Sequence, residues 1–286
     1  MNMTQWFYPL LLSVVLPFTF QARAATPCAG VSQAVNDSNS VIMLGGTAKG
    51  PIKQFVLGEF GKDVNLQKRM LGQFDRCGVL SVADISYDKS EGGVTLSMAQ
   101  HLTRVQGGWL AEYQISVKVQ RGDQQVEVNN KQGTINYSSG KRGNITSASD
   151  SFVLMGKKGF TETTYRYNRH LRLTSSVARG SDALTNGEYH YRWNAKGQVL
   201  STTSNNSKEH YTYDKHHREL RMDSVSHLPS STLTAVDECQ SWDDTGNCTL
   251  SYSREMEVSD KNTLQRNISA AYRFEYWDKE TSASAK

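Results

Sequence analysis

The chain has 286 residues, of which 21% are charged, and its formal net charge is +4 at pH 7. This length suits one large domain or two smaller ones. Lys and Arg are interspersed with Asp and Glu and form no block, which argues against nucleic acid as a partner.

The N-terminal residues have the composition of a secretory signal peptide. Residues 6–20 are uncharged and largely apolar, and Ala22 and Ala24 provide the small residues that signal peptidase reads. A membrane-spanning helix needs about 20 apolar residues, and this run is shorter and interrupted by prolines. We therefore predict that residues 1–24 are a signal peptide cleaved before Ala25, and that the mature chain has no transmembrane segment.

Two forms of anchoring are alternatives to a soluble periplasmic protein. Residues 1–5 contain no Lys or Arg, which departs from the usual signal peptide and leaves an uncleaved N-terminal anchor open. Cys28 follows the apolar run and is a candidate for lipidation, but Pro27 stands where lipoprotein processing requires a small residue. We favour export to the periplasm and release as a soluble protein.

The cysteines predict disulfide bonds in an oxidising compartment. The chain has 4 cysteines, an even number, without a C-x-x-C pair that would indicate a metal site. The turn sequence Asp-Asp-Thr-Gly between Cys239 and Cys248 favours a bridge between these two. Cys28 would then pair with Cys77, although the other pairings stay open. No metal or cofactor is expected.

Alternation of apolar and polar residues predicts β-strands along most of the chain. It is clear at 115–120, 189–193, 211–213 and 272–277, and turn sequences rich in Gly, Asp and Asn separate such runs. Residues 30–39 are the candidate for a short helix. We predict N-terminal hairpins in 25–135, a loop at 136–151 and a C-terminal sheet region in 152–286, or else one continuous domain over 25–286.

A degenerate unit recurs in the sequence: an aromatic residue, a turn containing Asp or Asn, and an apolar strand. Its copies begin at Phe74, Trp193, Tyr213 and Trp242. Asp or Asn stabilises such turns through the local backbone, and Gly provides the positive φ that the reversal needs. The unit predicts a mainly β fold with little helix, an antiparallel meander of hairpins forming an extended or curved open sheet.

The unit resembles the YD repeat of Rhs-type and teneurin-type cell-surface proteins, with Tyr213-Asp214 and Trp242-Asp243 as the best matches. The mature chain is also similar to the YnfC-type family of enterobacterial envelope proteins, usually described as lipoproteins. The motifs that carry this likeness are Gly50-Pro51-Ile52-Lys53, Lys68-Arg69 followed by Cys77, Tyr165-Arg166-Tyr167, and the pair Cys239 and Cys248. The resemblance implies an envelope location and brings no activity or catalytic residue.

Aromatic residues form the candidate ligand site. Tyr189, Tyr191 and Trp193 alternate along one predicted strand and share a face, and Tyr211 and Tyr213 do the same on what we expect to be the adjacent strand. Such a strip commonly packs in a sheet core. The sharper interpretation is a platform on which a sugar ring or an apolar strip of a partner stacks.

No catalytic residue is predicted, because the sequence has no G-x-S-x-G elbow, H-E-x-x-H string or nucleotide fingerprint. The favoured function is a non-enzymatic binding or structural module of the periplasm or cell envelope, with an envelope protein or a glycan as partner. One alternative is an envelope enzyme acting on glycans or peptidoglycan. Another is an immunity protein that blocks a secreted toxin.

Overall fold

The computed structural model describes residues 31–183 and 185–278. They form helix α1 (Gln33–Leu44) followed by antiparallel strands. The strands are β1 (Ile52–Gly61), β2 (Asn65–Phe74), β3 (Leu80–Glu91), β4 (Val94–Val105), β5 (Gly108–Arg121), β6 (Gln124–Ser139), β7 (Ile145–Leu154), β8 (Lys157–Tyr167), β9 (Leu173–Gly180), β10 (Gly187–Trp193), β11 (Val199–Thr203), β12 (Ser207–Tyr213), β13 (Glu219–His227), β14 (Ser231–Trp242), β15 (Cys248–Ser259) and β16 (Thr263–Tyr276).

The sheet is a closed barrel, and the prediction of an open extended or curved sheet is wrong. Each strand pairs with its sequence neighbours, and β1 also pairs with β16, with Phe55 opposite Phe274 and Leu57 opposite Tyr272. An open meander would leave the backbone of both edge strands without partners. Closure removes these edges, so the YD-repeat interpretation as a periplasmic row of hairpins does not describe this fold.

Alternation along the strands separates an inner wall from an outer wall. Ala83, Leu102 and Ala111 are partners on neighbouring strands and are fully buried, so their face of the sheet points into the barrel. The residues that follow or precede them belong to the outer wall, where exposed side chains such as Asp84 and Glu112 stand. The apolar core of the barrel therefore lies on its inner face.

The turns that join even-numbered strands to the next odd-numbered strand lie at one end of the barrel, which we name the capped rim. Five of them share one hydrogen-bond pattern, in which a side-chain oxygen accepts from the backbone N–H groups two and four residues later. These residues are Asp75, Asn168, Asn194, Asp214 and Asp243. This local bonding explains why the recurring unit of the sequence marks turns.

The aromatic residue that begins each unit ties one turn to the preceding hairpin. The indole of Trp193 donates to the carbonyl oxygen of Leu173 at 2.6 Å, and the Tyr213 hydroxyl donates to that of Val199 at 2.6 Å. The indole of Trp242 donates to the Glu219 carbonyl at 2.8 Å. These bonds satisfy backbone groups where each strand begins, so the capped rim is held by a series of linked turns.

Helix α1 lies against the capped rim and supplies polar side chains to its turns. Ser32 accepts from the backbone N–H of Val35 and begins the helix, and Gly45 ends it with φ 78°. Asn39 donates to the Gly143 carbonyl and accepts from the backbone of Ile145. The helix ends later than the predicted 30–39 segment. Its Met43 belongs to the main apolar core, so the core lies at the capped end.

Residues 136–151, which the sequence predicts as a loop, lie mostly in strands. β6 extends to Ser139 and β7 begins at Ile145, and the two strands pair from Lys131 opposite Leu154 to Ser139 opposite Ile145. Alternation is hidden here because Ser, Thr and Asn occupy the outer wall. The sheet therefore runs without interruption from the N-terminal to the C-terminal predicted region.

The structure contains the Cys239–Cys248 disulfide, which spans the β14–β15 turn with a Cα–Cα distance of 5.9 Å. Cys77 is also disulfide-bonded. Its predicted partner Cys28 lies outside the described residues, as do the predicted signal peptide and the cleavage site between Ala24 and Ala25.

Replacing both Cys239 and Cys248 by alanine should lower the free energy of unfolding by about 2–3 kcal/mol, because the bridge closes a short loop in the unfolded chain. The two residues are separated by 9 positions in sequence. Urea denaturation without reductant, which keeps the Cys77 bridge intact, measures this difference. A loss below about 1 kcal/mol would show that the chain-entropy model does not apply here.

Candidate functional site

The inner wall of the barrel is rich in tyrosine. Most of the 13 tyrosines face inward, as their cross-strand partners show, whereas Tyr252 stands on the outer wall and is 49% exposed. The inward tyrosines are Tyr87, Tyr113, Tyr137, Tyr165, Tyr167, Tyr189, Tyr191, Tyr211, Tyr213 and Tyr272. Tyrosine combines an apolar ring with a hydrogen-bonding hydroxyl, so this wall suits a ligand with both kinds of surface.

The five aromatic residues predicted as a strip all face inward, but they do not form one strip. Strand β11 separates β10 from β12, so Tyr211 and Tyr213 are not on the strand adjacent to Tyr191. Trp193 and Tyr213 are engaged in the capped rim. Tyr189 keeps 40% of its surface exposed on the inner wall, and the Tyr211 hydroxyl donates to Glu209 Oε2 at 3.0 Å.

The barrel is too wide for its inward side chains to fill. Neighbouring strands lie about 4.8 Å apart, so the strands β1–β16 give a perimeter of about 80 Å. Barrels of about eight strands are filled by one layer of side chains, whereas barrels of about 16 leave internal space. This space is bordered by α1 at the capped rim.

The two halves of the inner wall differ in chemistry. Strands β1–β7 contribute apolar residues such as Leu57, Met70 and Ile85, which pack together beside α1. Strands β8–β15 instead place Ser and Thr between the tyrosines. These residues are Thr161, Thr163, Ser176, Thr202, Ser224, Ser226, Ser251 and Ser253. The second half therefore offers hydroxyl groups as well as aromatic rings.

A cluster of charges on the inner wall centres on Arg266, whose side chain is 3% exposed. Its Nη2 lies 2.6 Å from Glu91 Oε2 and 2.6 Å from Glu257 Oε2, and its Nη1 lies 3.6 Å from Glu255 Oε2. Glu91 belongs to β3, so the guanidinium reaches across β1 and β2. The pKa values of Glu91 and Glu257 are lowered chiefly by hydrogen bonds from Arg266.

A second cluster centres on Lys131 of β6. Its Nζ lies 3.0 Å from Asp182 Oδ2, 3.6 Å from Asp150 Oδ2 and 4.0 Å from the centre of the Phe152 ring. The Tyr113 hydroxyl donates to both oxygens of Asp150 at 3.0 Å. Burial raises the pKa of Asp150 despite these partners. Lys131 thus neutralises carboxylates that burial makes costly.

Two inward carboxyl groups outside these clusters, Glu219 and Asp237, have raised pKa values. Burial raises the pKa of Glu219 to about 6, and nearby Asp237 adds to this effect. Burial also raises the pKa of Asp237. These groups can accept or donate hydrogen bonds to a ligand according to their protonation.

The outer wall carries both charged and apolar side chains. Charged residues stand in the middle of outer-wall strands, among them Asp84, Glu112 and Glu162. Charged side chains facing lipid are destabilising, by about 2–4 kcal/mol for Arg or Lys at the bilayer midplane. No helix among the described residues is long and apolar enough to cross a membrane.

A recess of about 1220 Å³ crosses strands β1–β8 and includes the ladder of Asp84, His101 and Glu112 in its lining. The His101 Nδ1 lies 2.6 Å from Asp84 Oδ1, but both side chains are about half exposed. Ser86 and Ser151 also line the recess, but no hydrogen bond among the described residues joins either hydroxyl to the His–Asp pair, as activation of a nucleophile would require. We assign it no chemistry.

No group of three or more His, Cys, Asp or Glu within 31–183 and 185–278 is arranged to hold a metal ion.

The Arg266 and Lys131 clusters were not predicted from the sequence. Glu91, one partner of Arg266, is separated from it by 175 positions in sequence. The single available signal was a charged residue at an inward position of an alternating strand, which requires a partner.

Comparison with known proteins finds similarity in structure but not in sequence. Scans of the sequence against protein-family models and against curated proteins find no match. A solved porin-like protein from Bacteroides uniformis aligns with a TM-score of 0.45 and 10% sequence identity, covering 80% of this chain and 99% of that chain. Neither result tests the resemblance to the YnfC-type family, which stays a prediction.

Proposed function

We propose that the protein is a non-enzymatic binding protein of the cell envelope whose ligand, a glycan, lies against the inner wall of the barrel. The observation that carries this proposal is the distribution of tyrosines, which face a space too wide for one layer of side chains to fill. The envelope location is supported by the signal-like N-terminus and by the disulfides.

The chemistry of the wall favours a sugar over a fatty chain. Sugars present apolar C–H faces that stack on aromatic rings and hydroxyl groups that need hydrogen-bond partners. The β8–β15 half supplies both, with Tyr189, Tyr191 and Tyr211 beside Ser176 and Thr202. A fatty chain would instead leave these hydroxyl groups without partners, which is unfavourable.

Two tyrosines of similar exposure allow a matched test. Tyr189 on the inner wall is 40% exposed and Tyr252 on the outer wall is 49% exposed. We expect Tyr189→Ala to weaken glycan binding roughly 10-fold to 30-fold, which is typical when an aromatic side chain that carries much of the binding energy is removed. Tyr252→Ala should leave the affinity unchanged. Calorimetric titration with soluble peptidoglycan fragments and with neutral oligosaccharides measures both affinities.

Two results would overturn the proposal. One is the absence of heat and of any fluorescence change with all of these glycans, at protein concentrations that keep the barrel folded by circular dichroism. The other is an equal loss of affinity in both variants, which would place the ligand outside the barrel.

A further inference from the structure

The capped rim carries a ring of basic side chains. Five of the turns at this end each place exposed Lys or Arg at the rim. They include Arg76, Lys141, Arg142, Arg169, Lys196 and Lys215. Because alternate turns of a meander lie at the same end, residues far apart in sequence are brought onto one surface.

Most acidic residues of the same turns do not offset this charge at the surface, and Asp244 in the β14–β15 turn is the exposed exception. Asp75, Asp214 and Asp243 are half-buried and accept hydrogen bonds from the backbone of their own turns. Asp75 also pairs with Arg104 at 2.7 Å, and Asp214 pairs with Arg218 at 2.7 Å. The charge that remains exposed at this rim is therefore predominantly positive.

The opposite rim has a smaller excess among the described residues. Its turns place Lys62 beside Asp63, Arg121 near Asp123, and Lys261 beside Asp260, and the exposed Lys157 and Lys158 follow the β7–β8 turn. The barrel is thus electrostatically asymmetric along its axis, although its net charge is only +4. Such an asymmetry orients a protein at a charged surface.

We infer that the capped rim docks the barrel, end-on, onto an anionic phospholipid surface. A ring of charges around a barrel with a perimeter of about 80 Å matches an extended planar surface better than a small anion. Lys and Arg near anionic headgroups contribute cumulatively to binding. The chain also enters the barrel at this end, because Val31 contacts Gly143 in the β6–β7 turn.

Vesicle co-sedimentation tests this inference on the protein purified from envelope extract. The wild type should bind vesicles of phosphatidylglycerol and phosphatidylethanolamine at low salt and not vesicles of phosphatidylcholine. The variant Lys141→Glu/Arg142→Glu/Lys215→Glu should bind the anionic vesicles at least roughly 100-fold less well. These side chains take no part in the turn hydrogen bonds described above, so the fold should persist.

The control reverses the same amount of charge at the opposite rim, with Lys62→Glu/Arg121→Glu/Lys157→Glu. This variant should bind like the wild type, because its changes lie farther from the headgroups than the Debye length of about 10 Å at 0.1 M salt. Equal losses in both variants would show that net charge alone acts. Either that result, or binding of wild type to purified peptidoglycan but not to anionic vesicles, would overturn the inference.

Discussion

Replacing Arg266 by methionine should lower the free energy of unfolding by about 3–5 kcal/mol at pH 7, because it removes one partner of a buried charge network. The guanidinium is 3% exposed and contacts Glu91, Glu255 and Glu257. Methionine has a similar apolar length, so the barrel keeps its packing while three carboxylates lose their cation. Urea denaturation followed by circular dichroism measures the change.

Arg254 provides the matched control. It lies on β15, points outward, is 67% exposed and sits 3.4 Å from Glu238 Oε2. An exposed pair contributes at most about 1 kcal/mol, so Arg254→Met should change the free energy of unfolding little. Comparable losses in both variants would mean that the Arg266 network stabilises the barrel no more than a surface ion pair.

The effect of Arg266→Met should diminish in acid. The pKa values of Glu91 and Glu257 are lowered in the folded protein, chiefly by hydrogen bonds from Arg266. A carboxyl group with a lowered folded pKa contributes stability above its unfolded pKa, about 4.3, and loses it as the pH falls through the folded value. The difference between wild type and variant should therefore shrink as the pH is lowered below about 4. A difference that is constant across this range would contradict the electrostatic explanation.

Local features of the fold were accessible from the sequence, because they depend on residues close together in the chain. Asn194 and Gly197 mark a turn whose Asn194 bonds lie within a few residues. Alternation in 189–193 places its aromatic residues on one face, as the structure shows. These patterns operate over a single hairpin.

Closure of the barrel was not accessible in this way. It depends on β1 pairing with β16, where Phe55 lies opposite Phe274. No turn joins these strands, and an alternating strand has the same pattern whether its sheet is open or closed. One hint was that both strands carry an apolar face, with Leu57 and Tyr272 in register. Such faces also occur in open sheets that pack on another layer.

The inward orientation of the tyrosines could not be predicted from the sequence for the same reason. Alternation shows that Tyr189 and Tyr191 share a face, but only the curvature of the sheet decides that this face points inward. The unit that begins at Trp193 predicts a strand at Val199, which is β11, but the expected pairing of the aromatic strands leaves this strand out of the order. Tyr211 was consequently expected on the strand adjacent to Tyr191.

Lys131→Met should lower the free energy of unfolding by about 3–5 kcal/mol at pH 7, because the buried carboxylates around it lose their cation. Lys131 is 8% exposed, and its Nζ contacts Asp182 and Asp150. Phe152 already surrounds the side chain with apolar surface, at 4.0 Å from Nζ to the ring centre. The methionine thioether therefore fits the same space, and the loss reports the charge rather than a cavity.

A second change should reverse part of this loss. Asp150→Asn removes one negative charge and keeps an oxygen that accepts from Tyr113. In the double variant Lys131→Met/Asp150→Asn we expect a coupling energy of about 1–3 kcal/mol, measured as the departure of the free energies of unfolding from additivity.

The penalty of Lys131→Met should also depend on pH. Because burial already raises the pKa of Asp150, loss of the lysine should raise it further. A carboxyl group with a raised pKa destabilises when ionised, so the penalty of Lys131→Met should decrease as the pH falls and Asp150 takes up its proton. Additive free energies, or a penalty independent of pH, would show that the lysine acts through packing, and the second cluster of the inner wall would then contribute no electrostatic stability to the barrel.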